Sequence, residues 1–479
     1  MTTKNYYKTL KTLFLSIFMG CSVLNTQAQI YVDASATNGA NNGTTWNDAY
    51  TDLQPALNAD PAGTEIRVAS RTYKPTEKPD NSDQERRIAF HFDKNLLLKG
   101  SYNPAKDAQD FAKPSILSGD FNGNDVITGS GSSLSITGNS ENALHVLITA
   151  DLTAATRIEG FLITGGNANG SGNLTYSGKA IYANHGGGMY NIRSSPSIVN
   201  TVFSGNSAIG NGGGMFNGTA SPSIVNTVFS GNKADVGAGM HQFSSSPMIV
   251  NSTFSGNSAT TEGGGINNSV STPTIYNSVF YGNNGSDLSN ANSTKGGNNF
   301  SENFTHAGFT ALSADPFLDS ANPKGADGVW FTTDDGLQPS SATSPITDAG
   351  DATKLPSYID GDTTKVIPFD ITGRTRIAGA TVDVGAYEHG SVVLSVKEID
   401  SNKLNIYSTG HKTLVIHGVL DAKTTANVYS LQDKLVASKT FNKFSTSNSL
   451  DVSTLSTGIY IVKMHNAKHQ VHTKKLFIQ

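Results

Sequence analysis

The chain has 479 residues but only one cysteine, Cys21, and only 15% of its residues are charged. If Cys21 is lost with a leader, the mature protein has no disulfides to lean on. Hydrophobic residues make up 37%, fewer than a globular core of this length usually takes and better matched to a thin solenoid rich in Gly, Asn, Ser and Thr. The centre of the chain also lacks the breaker-free runs of about ten residues that helical repeats need, because Gly, Pro and Asn interrupt it every few positions. The longest N-terminal apolar run, Leu13 to Leu24, falls short of the ~20 residues of a membrane helix. Between His185 and Gly285 the only acidic residues are Asp235 and Glu262.

What the centre does have is repetition. Pro196, Pro222, Pro247 and Pro273 recur at intervals of 26, 25 and 26 residues. Asn200, Asn226, Asn251 and Asn277 keep the same rhythm, as do Phe203, Phe229, Phe254 and Phe280. Each copy reads Gly-Gly-Gly-Met or a near variant, Ser-Pro, an Ile-led apolar run, Asn, then Phe-Ser-Gly-Asn. A period of this length means stacked units, and strand-sized pieces such as Ser197-Ile198-Val199 and Thr201-Val202-Phe203 make each unit a β-coil. Three strands per turn, each pairing with its equivalent in the next coil, describe a parallel β-helix. Ile198, Ile224, Ile249 and Ile275 then form one internal stack and the four phenylalanines another. The Asn200 series suits a left-handed bend whose amides hydrogen-bond their stacked copies.

The paired motifs Gly212-Gly213-Gly214-Met215 and Phe229-Ser230-Gly231-Asn232 resemble the repeats of polymorphic outer-membrane proteins and related right-handed β-helix surface proteins. Gly237-Ala238-Gly239 departs from the triple glycine without disturbing the coil. The resemblance implies an all-β chain: a right-handed parallel β-helix over residues 29–310.

Ahead of it, Lys4, Lys8 and Lys11, the apolar run and Thr26-Gln27-Ala28 have the layout of a secretory signal peptide, residues 1–28. Cys21 after Phe18-Met19-Gly20 leaves a lipoprotein signal as the alternative. Loss of the three lysines moves the formal charge from −4 to −7, which discourages nucleic acid as a partner, and no transmembrane segment is expected in the mature chain. Asp48 to Leu57 spaces its apolar residues at helical period and reads as a short helix covering the open end of the solenoid.

Behind the repeats, Asp327-Gly328-Val329-Trp330, Thr333-Asp334-Asp335-Gly336-Leu337, Asp370-Ile371-Thr372-Gly373-Arg374 and Asp383-Val384-Gly385-Ala386-Tyr387-Glu388 resemble the choice-of-anchor region. Residues 311–390 are accordingly expected as the C-terminal end of the solenoid. From 391 to 479 the alternation reads as a small antiparallel β-sandwich. Its Leu450-Asp451-Val452, Gly458-Ile459-Tyr460 and final Lys474-Lys475-Leu476-Phe477-Ile478 resemble the C-terminal sorting domain of type IX secretion, with Tyr407-Ser408-Thr409-Gly410 where many members carry Tyr-Pro-Asn-Pro. That resemblance implies handling by the type IX machinery and a mature protein that is either released or fixed to surface lipopolysaccharide.

Chemistry is thinly written. Asp235 and Glu262 fall in the loop before the glycine run and are the candidate acid–base pair if the solenoid is a polysaccharide lyase or glycoside hydrolase. Asp327, Asp334 and Asp335, with Asp348, Asp351, Asp360 and Asp362 nearby, are candidate calcium ligands, although no EF-hand spacing is present and turn formation is the simpler role. His465, His469 and His472 read as exposed histidines of a final hairpin rather than a metal site. Tyr190, Phe216 and Tyr276 among Asn, Ser and Thr suit glycan contact. The expectation is a non-catalytic, adhesin-like, glycan-contacting or structural module at or beyond the cell surface, without an obligatory cofactor.

Overall fold

The computed structural model describes residues 29–59, 62–80, 82–356, 367–391, 405–409, 412–417, 420, 423–430, 434–442, 447–466 and 471–478. The expected leader, Asp360, Asp362, His469 and the side chain of His472 lie outside the described residues. The chain divides into two compact units, Met1–Val392 and Val393–Gln479.

The first unit is a parallel β-helix. One coil runs through Met189–Ile192, Ser197–Val199, Val202–Ser204 and Ser207–Ala208 before Met215–Gly218 begins the next. Each strand pairs in parallel with its equivalent one coil on, so Ile198 meets Ile224 and Phe203 meets Phe229. The inward Phe203, Phe229, Phe254 and Phe280 rings stack at centroid spacings of 4.8 Å and within 8° of parallel. Apolar side chains one above another in this way shed water without leaving gaps.

Where three strands per coil were expected, a fourth short ladder joins them: Asn167–Ala168, Ser207–Ala208, Lys233–Val236 and Ser258–Glu262. Its inward residues are Ala168, Ala208, Ala234 and Ala259, too small to register as an apolar run in the sequence.

Two of the corners that turn the coil carry columns of asparagine. At the first, Asn200, Asn226, Asn251 and Asn277 take the expected left-handed backbone, with φ of 45, 48, 49 and 50°. Their amides do not form the expected mutual ladder, since only Asn277 and Asn251 approach each other, at 3.4 Å. The continuous amide ladder is one corner later, where Asn206 donates to Asn232 at 3.1 Å, Asn232 to Asn257 at 3.0 Å and Asn257 to Asn283 at 2.9 Å. Asn232 and Asn257 also accept the backbone N–H of the preceding ladder residue, Asn232, Asn257 and Asn283 donate to a Phe carbonyl of the preceding coil, and Asn206 accepts from Gly166 N and donates to Ile163 O. Asp287 ends the column by accepting from Asn283 at 2.8 Å.

Both ends of the stack are closed. The helix α1, Leu53–Asn58, buries Leu53, Ala56 and Leu57 over the first coils. Its cap is Asp52 rather than Asp48, which instead accepts from Ala40 N and Thr45 in the preceding loop. Gln54 mimics a strand, accepting from His91 N at 3.1 Å and donating to His91 O at 2.9 Å, so the edge strand Phe90–Phe92 is not left open there. At the far end Phe309 covers Phe280.

Residues 312–356 and 367–391 do not extend the stack, contrary to expectation; they fold back along its side. Phe317, Trp330, Ile346 and Val384 pack on the outward column Val202, Val228 and Val279. Asn226, Asn251 and Asn277 donate to the carbonyls of Phe369, Asp383 and Asp351. The first-corner asparagines thus hold this returning segment, and the outward valines explain why apolar residues flank the inward phenylalanine.

The second unit contains two antiparallel sheets, one of Asn405–Thr409, Thr413–His417 and Ser447–Asp451, the other of Thr424–Tyr429, Leu435–Phe441, Gly458–Asn466 and Val471–Ile478. Ile406, Leu414, Ile416, Val428, Val462, Met464 and Ile478 share its core. The described residues therefore form the β-sandwich that the alternation predicted.

Two outcomes follow from these contacts. Asn232→Ala removes a buried amide that serves Asn206, Phe203 and Asn257 and should cost ~3 kcal/mol in urea unfolding. Asn200→Gly removes a side chain whose amide atoms have no hydrogen-bond partner and keeps a backbone that glycine tolerates, so it should change stability by less than ~0.5 kcal/mol. The reverse order would place the ladder at the wrong corner.

The side segment should also be pH-sensitive. Burial pushes the Asp335 carboxyl up to about 7 against the opposing Tyr387 hydroxyl bond, and burial pushes Glu388 up to about 7 against Arg376. Both folded values lie above the ~4 of an unfolded carboxylate, so their stabilisation is complete below ~4 and is lost as pH rises through about 7. Hydrogen-exchange protection at 326–335 and 376–388, corrected for intrinsic rates, should fall between pH ~5 and ~8 more than at the Phe column. Constant protection across that range contradicts it.

Candidate functional site

The proposed acid–base pair is not assembled. A register shift between Ala234 and Val236 sets Glu262 opposite Val236, while Asp235 accepts from Thr261 Oγ1 at 2.5 Å. Neighbouring positions on a strand point to opposite faces, so the two carboxylates diverge. Glu262 meets Asn290 at 3.4 Å instead.

The three calcium candidates also separate. Asp334 accepts from Ala326 N, Asp327 N and Thr332 Oγ1, and Asp327 accepts from Val329 N, so both shape turns. Asp335 turns inward, fully buried, to the Tyr387 hydroxyl at 2.7 Å and Phe331 N at 2.8 Å. Among the described residues no group of three or more His, Cys, Asp or Glu is arranged to hold a metal ion. Tyr190 is buried beneath the hairpin of Asn173–Tyr176 and Lys179–Tyr182, and Phe216 lies under His185 with centroids 5.1 Å apart, so neither ring is offered to a ligand.

A charged strip that the sequence reading passed over lies on the outward face of the first coils. Glu65 bonds Arg67 at 2.6 Å and Lys99 at 2.8 Å, and Arg157 grips Glu159 through two bonds at 3.0 and 2.9 Å. Burial pushes Glu65 up, but the Lys99 and Arg67 bonds outweigh it and hold the carboxyl below its ordinary value. Glu159 is fully buried. A carboxylate held low, as Glu65 is, is poorly suited to take up a proton at neutral pH, and the strip reads as a latch between coils. Its signal was Glu65-Ile66-Arg67 and Arg157-Ile158-Glu159, with a charge on each side of an inward aliphatic residue, and Leu97-Leu98-Lys99 between them with a charge on one side.

One concave surface is on the side that the small-residue ladder faces. Between Asp120 and Asn142 the chain leaves the solenoid as a hairpin, Val126–Thr128 pairing with Ser135–Thr137, and lies down along the second corner. Ile127 reaches Gly205, Leu134 reaches Gly231, and Gly131 N donates to Gly256 O at 2.9 Å. Glycine is required at that corner twice over, by a left-handed backbone and by the hairpin lying on it. A groove of about 400 Å³ runs beside the hairpin, with Asn139 and Ile136 on its wall and Asn167, Ser207, Lys233 and Asp235 along the solenoid. A second cleft, of about 650 Å³, is lined by Lys78, Glu85, Phe121 and Glu141. Arg86 lines that cleft too and donates to Asn169 Oδ1 at 2.7 Å and Asn167 O at 2.8 Å, so one side chain links the two hollows.

Asp125 lies in the hairpin at the base of this wall. Burial raises its carboxyl to about 6, the Asn142 bond opposes the rise, and Asp120 and Glu141 add to it. Of the residues proposed from sequence, only Asp235 faces the groove; the rest of its lining went unread because Asn, Ser and Thr there look like any solvent-facing coil.

Residues 400–479 match the family described as Secretion system C-terminal sorting domain. The chain is therefore handled by the type IX secretion machinery and is secreted or held at the cell surface. No curated protein matches the chain. Among solved structures, the crystal structure of pectate lyase Pel9A is similar at 16% identity, covering 76% of this chain and 96% of that one, with a TM-score of 0.31. A superposition that loose transfers no residue roles.

If the hairpin forms the groove wall, lifting its tip should open the groove without unfolding the coils. Gly131 has φ of 53° and faces the carbonyl of Gly282, so Gly131→Val should raise hydrogen exchange across 126–137 at least ~10-fold while the Phe column stays protected. Unchanged exchange in the hairpin would show that its seating does not depend on this contact.

Proposed function

We propose that the exported solenoid is a non-catalytic, adhesin-like module that holds an extracellular glycan along the groove beside the 120–142 hairpin. The observation that carries this reading is the composition of the groove, where amides and hydroxyls from successive coils, Asn167, Ser207 and Thr260 among them, line up on one open side. Such groups exchange hydrogen bonds with sugar hydroxyls, and their rise from coil to coil suits a polymer that is itself periodic. With Tyr190 and Phe216 buried, affinity rests on hydrogen bonds more than on ring stacking. Lys233 and Asp235 together leave this floor without a dominant charge, which favours neutral over acidic chains. Surface lipopolysaccharide is the corresponding anchor if the protein stays attached.

The second reading, a polysaccharide lyase or glycoside hydrolase, draws on one observation: Asp125, with its carboxyl raised to about 6, lies near Glu141, which lines the second cleft. The purified mature protein, incubated with neutral and acidic polysaccharides, should bind neutral chains and release neither reducing nor unsaturated ends. Combined Asn139→Ala and Lys233→Ala should weaken binding ~10-fold, about 1.4 kcal/mol. Release of new ends abolished by Asp125→Asn would replace the binding reading with the enzymatic one.

A further inference from the structure

We propose that Asp125, Glu141 and Asn142 form a calcium site that ties together the two legs of the 120–142 hairpin. Three oxygens carry the inference: Asp125 Oδ1, Glu141 Oε1 and Asn142 Oδ1 are each closed off from solvent and each lacks a hydrogen-bond donor. Asn142 is fully buried, and its Nδ2 donates to Asp125 Oδ2 at 2.8 Å, which sets the amide against that carboxylate. A carboxylate oxygen shut away without a donor is costly; Asp125 is in hydrogen-bond contact with Asn142 and Glu141 adjoins Asn142 in the chain, so two carboxylate oxygens and one amide oxygen at this end of the hairpin call for a positive partner.

The nearby cation, Arg86, is within electrostatic reach of Glu141 but gives none of its hydrogen bonds to these three oxygens. Arg86 donates to three neutral acceptors, Asn142 O, Asn167 O and Asn169 Oδ1, at 2.6, 2.8 and 2.7 Å. Asp120 is likewise occupied, accepting the N–H groups of Gly123, Asn124 and Asp125, and so shapes the outgoing turn. Two carboxylates and an amide oxygen are hard ligands of the kind calcium takes, with water completing the shell.

Position gives the site its purpose. Asp125 is on the leg that leaves the solenoid, and Glu141 and Asn142 are on the leg that returns. An ion between them closes the loop at its base and fixes the groove wall, independently of what the groove binds. This location differs from the Asp327, Asp334 and Asp335 loops, whose carboxylates are taken up by backbone N–H groups, Thr332 and the Tyr387 hydroxyl.

The test is titration calorimetry of the chelator-treated mature protein with calcium chloride, alongside magnesium chloride, and hydrogen exchange of residues 120–142 with and without calcium. The expected result is one calcium site, magnesium at least ~10-fold weaker, and slower exchange in the hairpin when calcium is present. Asp125→Asn and Glu141→Gln, each near-isosteric, should each weaken calcium binding ~10-fold or more, while Asp327→Asn with Asp334→Asn leaves it unchanged. No calcium binding by the parent protein, binding unaffected by the first two variants, or binding lost only in the Asp327/Asp334 variant each overturns the assignment. Glycan binding that persists without calcium leaves this site standing, and calcium binding without any glycan binding removes only the ligand proposed for the groove.

Discussion

Equivalent side chains held 4.8 Å apart, coil upon coil, are the constraint from which the first unit is built. At that spacing a side chain has its own copy as its nearest neighbour, so each position must hold a residue that is content beside itself. Phenylalanine is, because offset parallel rings attract; asparagine is, because an amide has a donor on one side and an acceptor on the other. Like charges are not, and where charges do enter the coil a partner of opposite sign is supplied: Arg67 stands opposite Lys99, but Glu65 bonds both, and Arg157 bonds Glu159. The low charge content of the chain is the composition that this rule produces.

The same rule separates what could be read from the residues from what could not. The Phe and Ile columns were legible because large apolar residues at a fixed interval have one good solution. The amide ladder was legible as a kind of feature but was assigned to the wrong corner: Asn200 and Asn206 recur with the same period, and only coordinates reveal that the Asn206 column bonds along itself while the Asn200 column faces outward to a later segment. The fourth ladder was hidden because Ala208 and Ala259 bury little surface. Contacts such as Asn251 to Asp383 and Thr253 to Ala386 join residues more than 130 positions apart, and no local pattern encodes them.

The clothing of the solenoid decides where function can reside. Residues 312–356 and 367–391 cover the outward valines, the 173–182 hairpin covers the first coils on another side, and the helix α1 closes an end. Among the described residues, the side of the small-residue ladder, bounded by the 120–142 hairpin, stays accessible. Asp235 proved to be on that side and Glu262 not, through a single shift in register. The groove lining was hard to single out because Asn, Ser and Thr serve equally as ligand contacts and as ordinary surface. Export through the C-terminal unit sets the conditions in which this surface works, outside the cell and on a described fold with no disulfide to brace it.

The hairpin that rests on Gly205, Gly231 and Gly256 has a length of its own, unrelated to the number of repeats beneath it. It therefore acts as a gauge. A gene that gained or lost a coil would still fold, since each coil asks only for a like neighbour, yet the wall would then overhang or fall short of the stack. Repeat number and hairpin length must drift together, and a lineage that varied one alone would alter the reach of its groove before it altered the soundness of its fold.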